Sequence, residues 1–191
     1  MFNKATKAYL LVGVLFSMLS GNVLAAEIAS DINVSRSYDN FKLTLGGSLG
    51  SASYRAAADS VTAYSVFGEL GVLRGFGMEV AYMDLGETGN GAEKGKTKVT
   101  YFGLRGFKRL SLQFGLYGRM GIGLWDYSRS NGGSDSGANP LWGYGMEWRL
   151  TPVLNVRAGF DKIFFTAKLN NAPDYTENVN QFSLALAFNF N

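Results

Sequence analysis

The segment from Trp142 to Leu150 alternates between two kinds of residue. Trp142, Tyr144, Met146, Trp148 and Leu150 share one side, and Gly143, Gly145, Glu147 and Arg149 share the other. A period of two is that of a β-strand, whose successive side chains point to opposite faces. In a soluble half-buried strand, the face opposite the large apolar one carries Lys, Glu, Thr and Gln for water. Here it carries glycine and isolated charges. The same contrast returns in seven further segments: Phe41–Leu49, Thr62–Val72, Phe76–Asp84, Thr100–Phe107, Leu110–Trp125, Val153–Phe165 and Phe182–Phe190. In each, Leu, Phe, Val, Met or aromatic residues alternate with Gly, Ala, Ser and a few charged residues.

Most of these segments approach the ~9–11 residues that a tilted strand needs to cross a bilayer. Their large face forms an almost uncharged belt, which a soluble chain could not expose without aggregating. Small residues on the other face suit a narrow interior, which eight strands leave just wide enough for side chains. The pattern therefore predicts an all-β chain, an eight-stranded antiparallel up-and-down transmembrane β-barrel over residues 41–191. Trp142, Tyr144, Trp148, Phe188 and Phe190 belong to its lipid-facing aromatic belt, and Glu147 points inward.

The two ends of the segments differ. Arg74-Gly75, Lys108-Arg109 and Thr151-Pro152 mark tight turns, while 84–98, 126–140 and 168–180 read as long polar loops. Outer-membrane barrels place short turns in the periplasm and longer loops outside the cell. An even number of strands then leaves both termini periplasmic.

The N-terminus agrees with export. Lys4 and Lys7 precede an apolar run, Leu10 to Leu19, and a small-residue stretch ending Ala25-Ala26. This reads as a signal peptide over 1–25, cleaved there or after 26. Residues 26–40 are a weakly patterned lead-in. The mature chain has about 165 residues, a one-domain length. Removing a leader with two lysines leaves 16 basic against 15 acidic residues, a net charge of +1. Neither this balance nor any basic run points to nucleic acid.

The chain has no histidine and no cysteine. Zinc sites, thiol nucleophiles and histidine-dependent catalysis are thereby excluded. The sequence offers no catalytic, cofactor-binding or metal-binding residues, and no cofactor is expected.

Charges on the inward face need partners, because neither lipid nor a dry interior solvates them. Glu69, Glu79, Arg105, Arg119, Glu147, Arg149, Arg157 and Asp161 make up that set. Opposite charges there are expected to form one hydrogen-bonded network.

The segments FGMEVAYMDLG (76–86), VTYFGLRGF (99–107), YGRMGIGLW (117–125), YGMEWRLTPVLNVRAGFD (144–161) and FSLALAFNF (182–190) resemble successive strands of the outer membrane protein A family. The likeness is to that family's eight-stranded transmembrane domain and runs in order over nearly all of the mature chain. It implies a lumen cluster of paired acids and bases at Glu79, Arg105, Glu147 and Arg157, with Arg119 nearby. The family commonly carries Lys where this chain has Arg105. The resemblance ends at the eighth strand, without the family's C-terminal peptidoglycan-binding domain. It implies the bacterial outer membrane as location, with outer-membrane lipid, lipopolysaccharide and the assembly machinery as partners. A host or surface ligand would be met through loops 84–98, 126–140 and 168–180.

Four functions compete. A non-enzymatic structural or surface-interaction barrel with a charge-plugged lumen comes first. A narrow gated pore follows, if the network switches partners. A lipid-modifying enzyme would have to work without histidine, and no motif suggests one. A soluble ligand-binding barrel would require the apolar face to turn inward.

Overall fold

A computed structural model describes residues 42–55, 58–73, 75–89, 94–130, 133–168 and 175–190. The leader, the lead-in over 26–40 and Phe41 lie outside the described residues. Eight strands follow one another: β1 (Lys42–Tyr54), β2 (Asp59–Leu73), β3 (Phe76–Thr88), β4 (Gly95–Arg109), β5 (Phe114–Arg129), β6 (Ser134–Arg149), β7 (Leu154–Ala167) and β8 (Tyr175–Phe190). Each pairs antiparallel with its neighbour in sequence, and β1 pairs with β8 from Leu43↔Phe190 to Tyr54↔Val179, closing the barrel. Closure removes the sheet edges that a hydrocarbon medium cannot satisfy.

The large apolar residues point outward. Leu43, Leu45, Leu49, Val66, Met78, Val80, Phe102, Leu184 and Leu186 are all exposed on the outer surface. Trp142, Tyr144, Trp148, Phe188 and Phe190 are exposed there too, with Trp142 stacked on Tyr144 at 6.3 Å between ring centroids. This facing matches a barrel set in lipid and is the reverse of a soluble ligand-binding barrel.

Three tight turns close the end at which the described chain begins and stops. Gly75, with φ of 83°, turns β2 into β3. The β4–β5 connection differs from the expected Lys108-Arg109: both residues belong to β4, and the turn runs from Leu110 to Gln113. Leu112 therefore leaves the strand and is 87% exposed. The hydroxyl of Ser111 causes this, accepting from the Phe114 amide at 3.0 Å, while the amides of Leu110 and Ser111 both donate to the Phe114 carbonyl. The β6–β7 turn repeats the arrangement: Thr151 Oγ1 accepts from Leu154 N at 3.0 Å, and the amides of Leu150 and Thr151 donate to the Leu154 carbonyl. Such hydroxyl-to-backbone bonds are the Ser/Thr form of turn stabilisation. Each turn is also tied to the following hairpin. Phe107 N donates to Gly75 O, Arg149 N to Gln113 O and Asn189 N to Val153 O, at 2.6, 2.7 and 2.9 Å.

At the opposite end the loops are much shorter than expected. Most of the described residues in the spans 84–98, 126–140 and 168–180 belong to strands: β3 and β4 pair up to Thr88↔Gly95, β5 and β6 up to Ser128↔Ser134, and β7 and β8 up to Ala167↔Tyr175. Strands of 13 to 16 residues exceed what the bilayer requires, so the barrel projects beyond it. Pro140 lies within β6 rather than in a loop. It is tolerated because the β6–β7 ladder stops one residue earlier, at Leu141↔Ile163. Proline in a sheet is confined to such an unpaired side.

Candidate functional site: the barrel lumen

Inside the turn-side half of the barrel, two groups of charged side chains meet. Glu69 (β2), Arg105 (β4), Glu147 (β6) and Arg157 (β7) form a closed ring. Arg105 Nη1 lies 3.0 Å from Glu69 Oε1, and Arg105 Nη2 2.8 Å from Glu147 Oε2. Arg157 Nε lies 2.7 Å from Glu147 Oε2, and Arg157 Nη2 2.8 Å from Glu69 Oε2. Asn155 Nδ2 donates to the remaining Glu147 oxygen at 2.9 Å. Two acids and two bases leave this ring neutral.

The second group is Glu79 (β3), Arg119 (β5) and Asp161 (β7). Arg119 grips Asp161 in a fork, Nε to Oδ1 at 2.7 Å and Nη2 to Oδ2 at 2.6 Å, while its Nη1 pairs with Glu79. This two-pronged geometry is the strong form of an arginine–carboxylate contact. Here one base serves two acids.

Aromatic rings brace the guanidiniums. Arg105 lies over Tyr117 at 4.4 Å, Arg157 over Phe67 at 5.0 Å and Arg119 over Tyr101 at 5.2 Å. Inward glycines make room for these large groups. A Cβ on Gly143 would overlap the Asp161 carboxylate, and one on Gly145 would meet the Tyr117 ring. The glycine-rich inner face is thus a mould for arginines, acids and rings held by neighbouring strands.

The five sequence-selected residues, Glu79, Arg105, Arg119, Glu147 and Arg157, all lie in these two groups. Glu69 and Asp161 complete them. Arg149 does not join: it sits half-buried at the turn-side mouth, with no carboxylate in ion-pair range among the described residues. The bracing role of Tyr101, Tyr117 and Phe67 was not visible in sequence, since an inward aromatic has no distinctive spacing.

Between the two groups lies a cavity of about 20 Å³ bordered by Glu79, Arg119, Arg157, Tyr117 and three serines, Ser48, Ser65 and Ser183. That is room for a single water. Toward the loop end the lumen changes character. Tyr54, Met83, Leu85, Val99, Trp125, Tyr127, Leu141, Ile163, Phe165 and Val179 pack there as a buried apolar core. Phe165 contacts Trp125 and Tyr127 at 5.2 and 5.9 Å between centroids. Among the described residues, no group of three or more acidic side chains converges to hold a metal ion.

A closed eight-stranded barrel with an outer apolar belt and an inner ion-pair network has a family counterpart. The family model of the OmpA-like transmembrane domain matches residues 31–191. The chain belongs to that family. As an OmpA-like barrel it is a protein of the bacterial outer membrane, and its tight-turn end is the periplasmic one. Comparison with curated proteins gave no match. Among solved structures, neisserial surface protein A superposes with a TM-score of 0.61 at 12% identity, covering 78% of this chain and 96% of that one. The N-terminal β-barrel domain of Pseudomonas aeruginosa OprF gives 0.52 at 12% identity, covering 77% and 97%. Ail, the attachment invasion locus protein of Yersinia pestis, solved with the heparin analogue sucrose octasulfate, gives 0.50 at 14%, covering 78% and 98%. At these identities the likeness is one of fold.

Proposed function

We propose that this OmpA-like barrel is a closed, non-enzymatic component of the outer membrane that presents its projecting strands and short loops at the cell surface. The observation that carries this reading is the two-layered filling of the lumen. An ion-pair layer occupies the periplasmic half, and a largely apolar core, with Thr97, Glu177 and Gln181 buried in it, occupies the other. Ions crossing it would have to break charge-assisted bonds and then enter an apolar region, each a barrier to permeation. The exposed outer residues near the loop end, including Ser51, Ser53, Lys98, Asp126, Ser136 and Thr166, are a mixed polar surface suited to contacts with lipopolysaccharide or a host ligand. Ail, found with a polysulfated sugar analogue, is an example of a related fold meeting such a ligand. The chain has no histidine, and the acids of both charge groups are engaged by arginines, so neither group holds a free general base.

The test is single-channel recording of the refolded mature chain in a planar bilayer. The plug reading expects no unitary conductance steps. A second reading, a narrow gated pore, rests on the one-water cavity between the two charge groups. Regular steps that change in Glu147→Gln or Arg119→Gln would establish it and remove the first reading.

A further inference from the structure

The periplasmic rim carries a repeated pairing of a cation with an exposed apolar residue. Lys108 and Arg109 end β4, beside Leu110 and Leu112 in the turn. Arg149 ends β6, beside Leu150 and Val153. Lys42 opens β1 at the same level and, like Arg149, lies half-buried at the lumen mouth, whereas Lys108 and Arg109 are exposed. Leu73, at the end of β2, is 72% exposed at the same level. No acid occurs among residues 42–46, 70–73, 75–78, 106–116, 148–156 and 186–190, and the acids that adjoin them, Glu69, Glu79 and Glu147, face the lumen and are held by arginines. The loop end differs: Asp59, Asp84, Glu87, Asp126, Asp135 and Glu177 stand there among the lysines.

We infer that this rim binds the anionic headgroups of phospholipids in the periplasmic leaflet. Charge complementarity selects an anion, because the described rim is all base and no acid. The apolar residues select a membrane source over a soluble anion. Leu110, Leu112, Leu150 and Val153 gain nothing from free phosphate or a dissolved polyanion, whereas a bilayer interface buries them while its phosphates meet the neighbouring cations. The turns are held for this by their own hydroxyl-capped geometry and by the bonds from Phe107, Arg149 and Asn189. Lys108 and Arg109 are thus presented in fixed register at the β4–β5 turn, with Arg149 at the lumen mouth beside Leu150, unlike the cations of a floppy basic tail.

The experiment is lipid capture by the folded mature chain. Barrels refolded in mixed phosphatidylethanolamine–phosphatidylglycerol vesicles are extracted in mild detergent, and retained lipid is counted by native mass spectrometry. The wild type is expected to retain phosphatidylglycerol above its share in the vesicle. The triple variant Lys108→Gln/Arg109→Gln/Arg149→Gln is expected to lose that enrichment by roughly fivefold or more. The loop-end control Lys94→Gln/Lys98→Gln/Lys162→Gln is expected to keep it, as is Arg109→Lys/Arg149→Lys. Equal enrichment in the rim variant and the wild type would overturn the inference. Displacement of phosphatidylglycerol by millimolar inorganic phosphate would overturn the membrane assignment in favour of a free-anion site. Heat-dependent gel mobility checks that each variant is folded. Should the triple variant not fold, the wild type in a salt series decides: enrichment that survives ~1 M salt, where screening leaves a reach of only ~3 Å, would refute the electrostatic basis. None of these outcomes bears on whether the lumen conducts.

Discussion

Glu147 and Arg157 stand directly opposite each other on β6 and β7, and their side chains meet at 2.7 Å inside the barrel. The same carboxylate oxygen also takes Arg105 Nη2 at 2.8 Å. One oxygen therefore holds two guanidiniums, and Glu69 closes the ring from the other side. Glu147→Ala leaves two buried arginines sharing a single acid. Removing one partner of a buried pair costs about 3–5 kcal/mol, because it strands a charge rather than because the pair itself is strong. Glu147→Ala with Arg157→Ala leaves Arg105 and Glu69 as a neutral pair. The double variant is expected to be more stable than Glu147→Ala alone, measured by urea unfolding in vesicles. Simple additivity of the two single losses would remove this pair from the network.

Inward glycines are expected to differ sharply from outward ones. From the alternation alone, Gly145→Ala is expected to matter less than a charge on the lipid face, unless backbones are crowded there. The structure has that crowding: the new Cβ would collide with the Ala158 carbonyl and come within 2.6 Å of the Tyr117 ring. Backbone cannot yield there without breaking the ladder, so a loss of about 1–3 kcal/mol is expected. Gly118 faces outward, and a methyl added to it would sit 3.9 Å from its nearest neighbour, the Gly143 carbonyl oxygen. Gly118→Ala should therefore be close to neutral. Equal unfolding midpoints for the two variants would contradict the moulding role given to the inner glycines.

On the lipid side, Trp142→Arg or Leu186→Arg places a charge in the belt. Each should impair folding into bilayers by about 2–4 kcal/mol if it lies at midplane, and by less near the interface. Equilibrium folding titrations in vesicles measure this directly. Indifference at both sites would undo the outward facing of β6 and β8.

The belt and the inner charges were legible in the sequence because within the bilayer the two faces differ so strongly. Trp142, Tyr144 and Trp148 against Gly143, Gly145 and Glu147 admit one arrangement. The upper strands were not legible because the polarity reverses once a strand leaves the lipid. In β5, Trp125 and Tyr127 face in while Asp126 and Ser128 face out to water. In β7, Ile163 and Phe165 are buried while Thr166 is exposed. The period of two continues, but its phase inverts, and with Asn, Gly and Ser close by the stretch resembles a loop. A search for this inversion, apolar-in and polar-out next to apolar-out and small-in, is the signal that would have found the apolar half of the lumen. The Thr151-Pro152 turn was legible, but the β4–β5 turn was displaced from Lys108-Arg109 because Ser111 sets it by a local hydroxyl bond, which leaves no mark on hydropathy.

That apolar core should be a main source of stability at the loop end. Phe165 is 1% exposed and packs on Trp125 and Tyr127. Phe165→Ala is expected to cost about 3–5 kcal/mol, in the range of buried aromatic truncations. Its neighbour Phe164 points outward, and Phe164→Ala should cost far less. Unfolding monitored by Trp125 fluorescence, with the other two tryptophans replaced by Phe, would read the difference. Similar losses at 164 and 165 would mean that the phase of β7 is not as described.

The β2–β3 ladder stops at Tyr64↔Asp84, short of the strand ends, and the longer gap, between β6 and β7, is the seam that should open most readily. β6 continues from Leu141 up to Ser134 along β5, and β7 continues from Ile163 to Ala167 along β8, but the two have no ladder between them above Leu141↔Ile163. Across that stretch the Lys168 amide donates to Asp135 Oδ2 at 2.6 Å. Beside it lies a cleft of about 530 Å³ lined by Asn139, Phe164, Phe165 and Glu177. Local opening follows where ladder bonds and packing are fewest. Hydrogen exchange on the barrel in nanodiscs is therefore expected to show lower protection over 134–139 than over Gly95–Val99, which pair on the β5 side with Trp125–Arg129. Asp135→Ala should raise exchange in 134–139 and at Lys168 together, while leaving the charge-ring strands unchanged. Uniform protection along β6, or no response at Lys168, would show that the seam is closed by contacts other than this one.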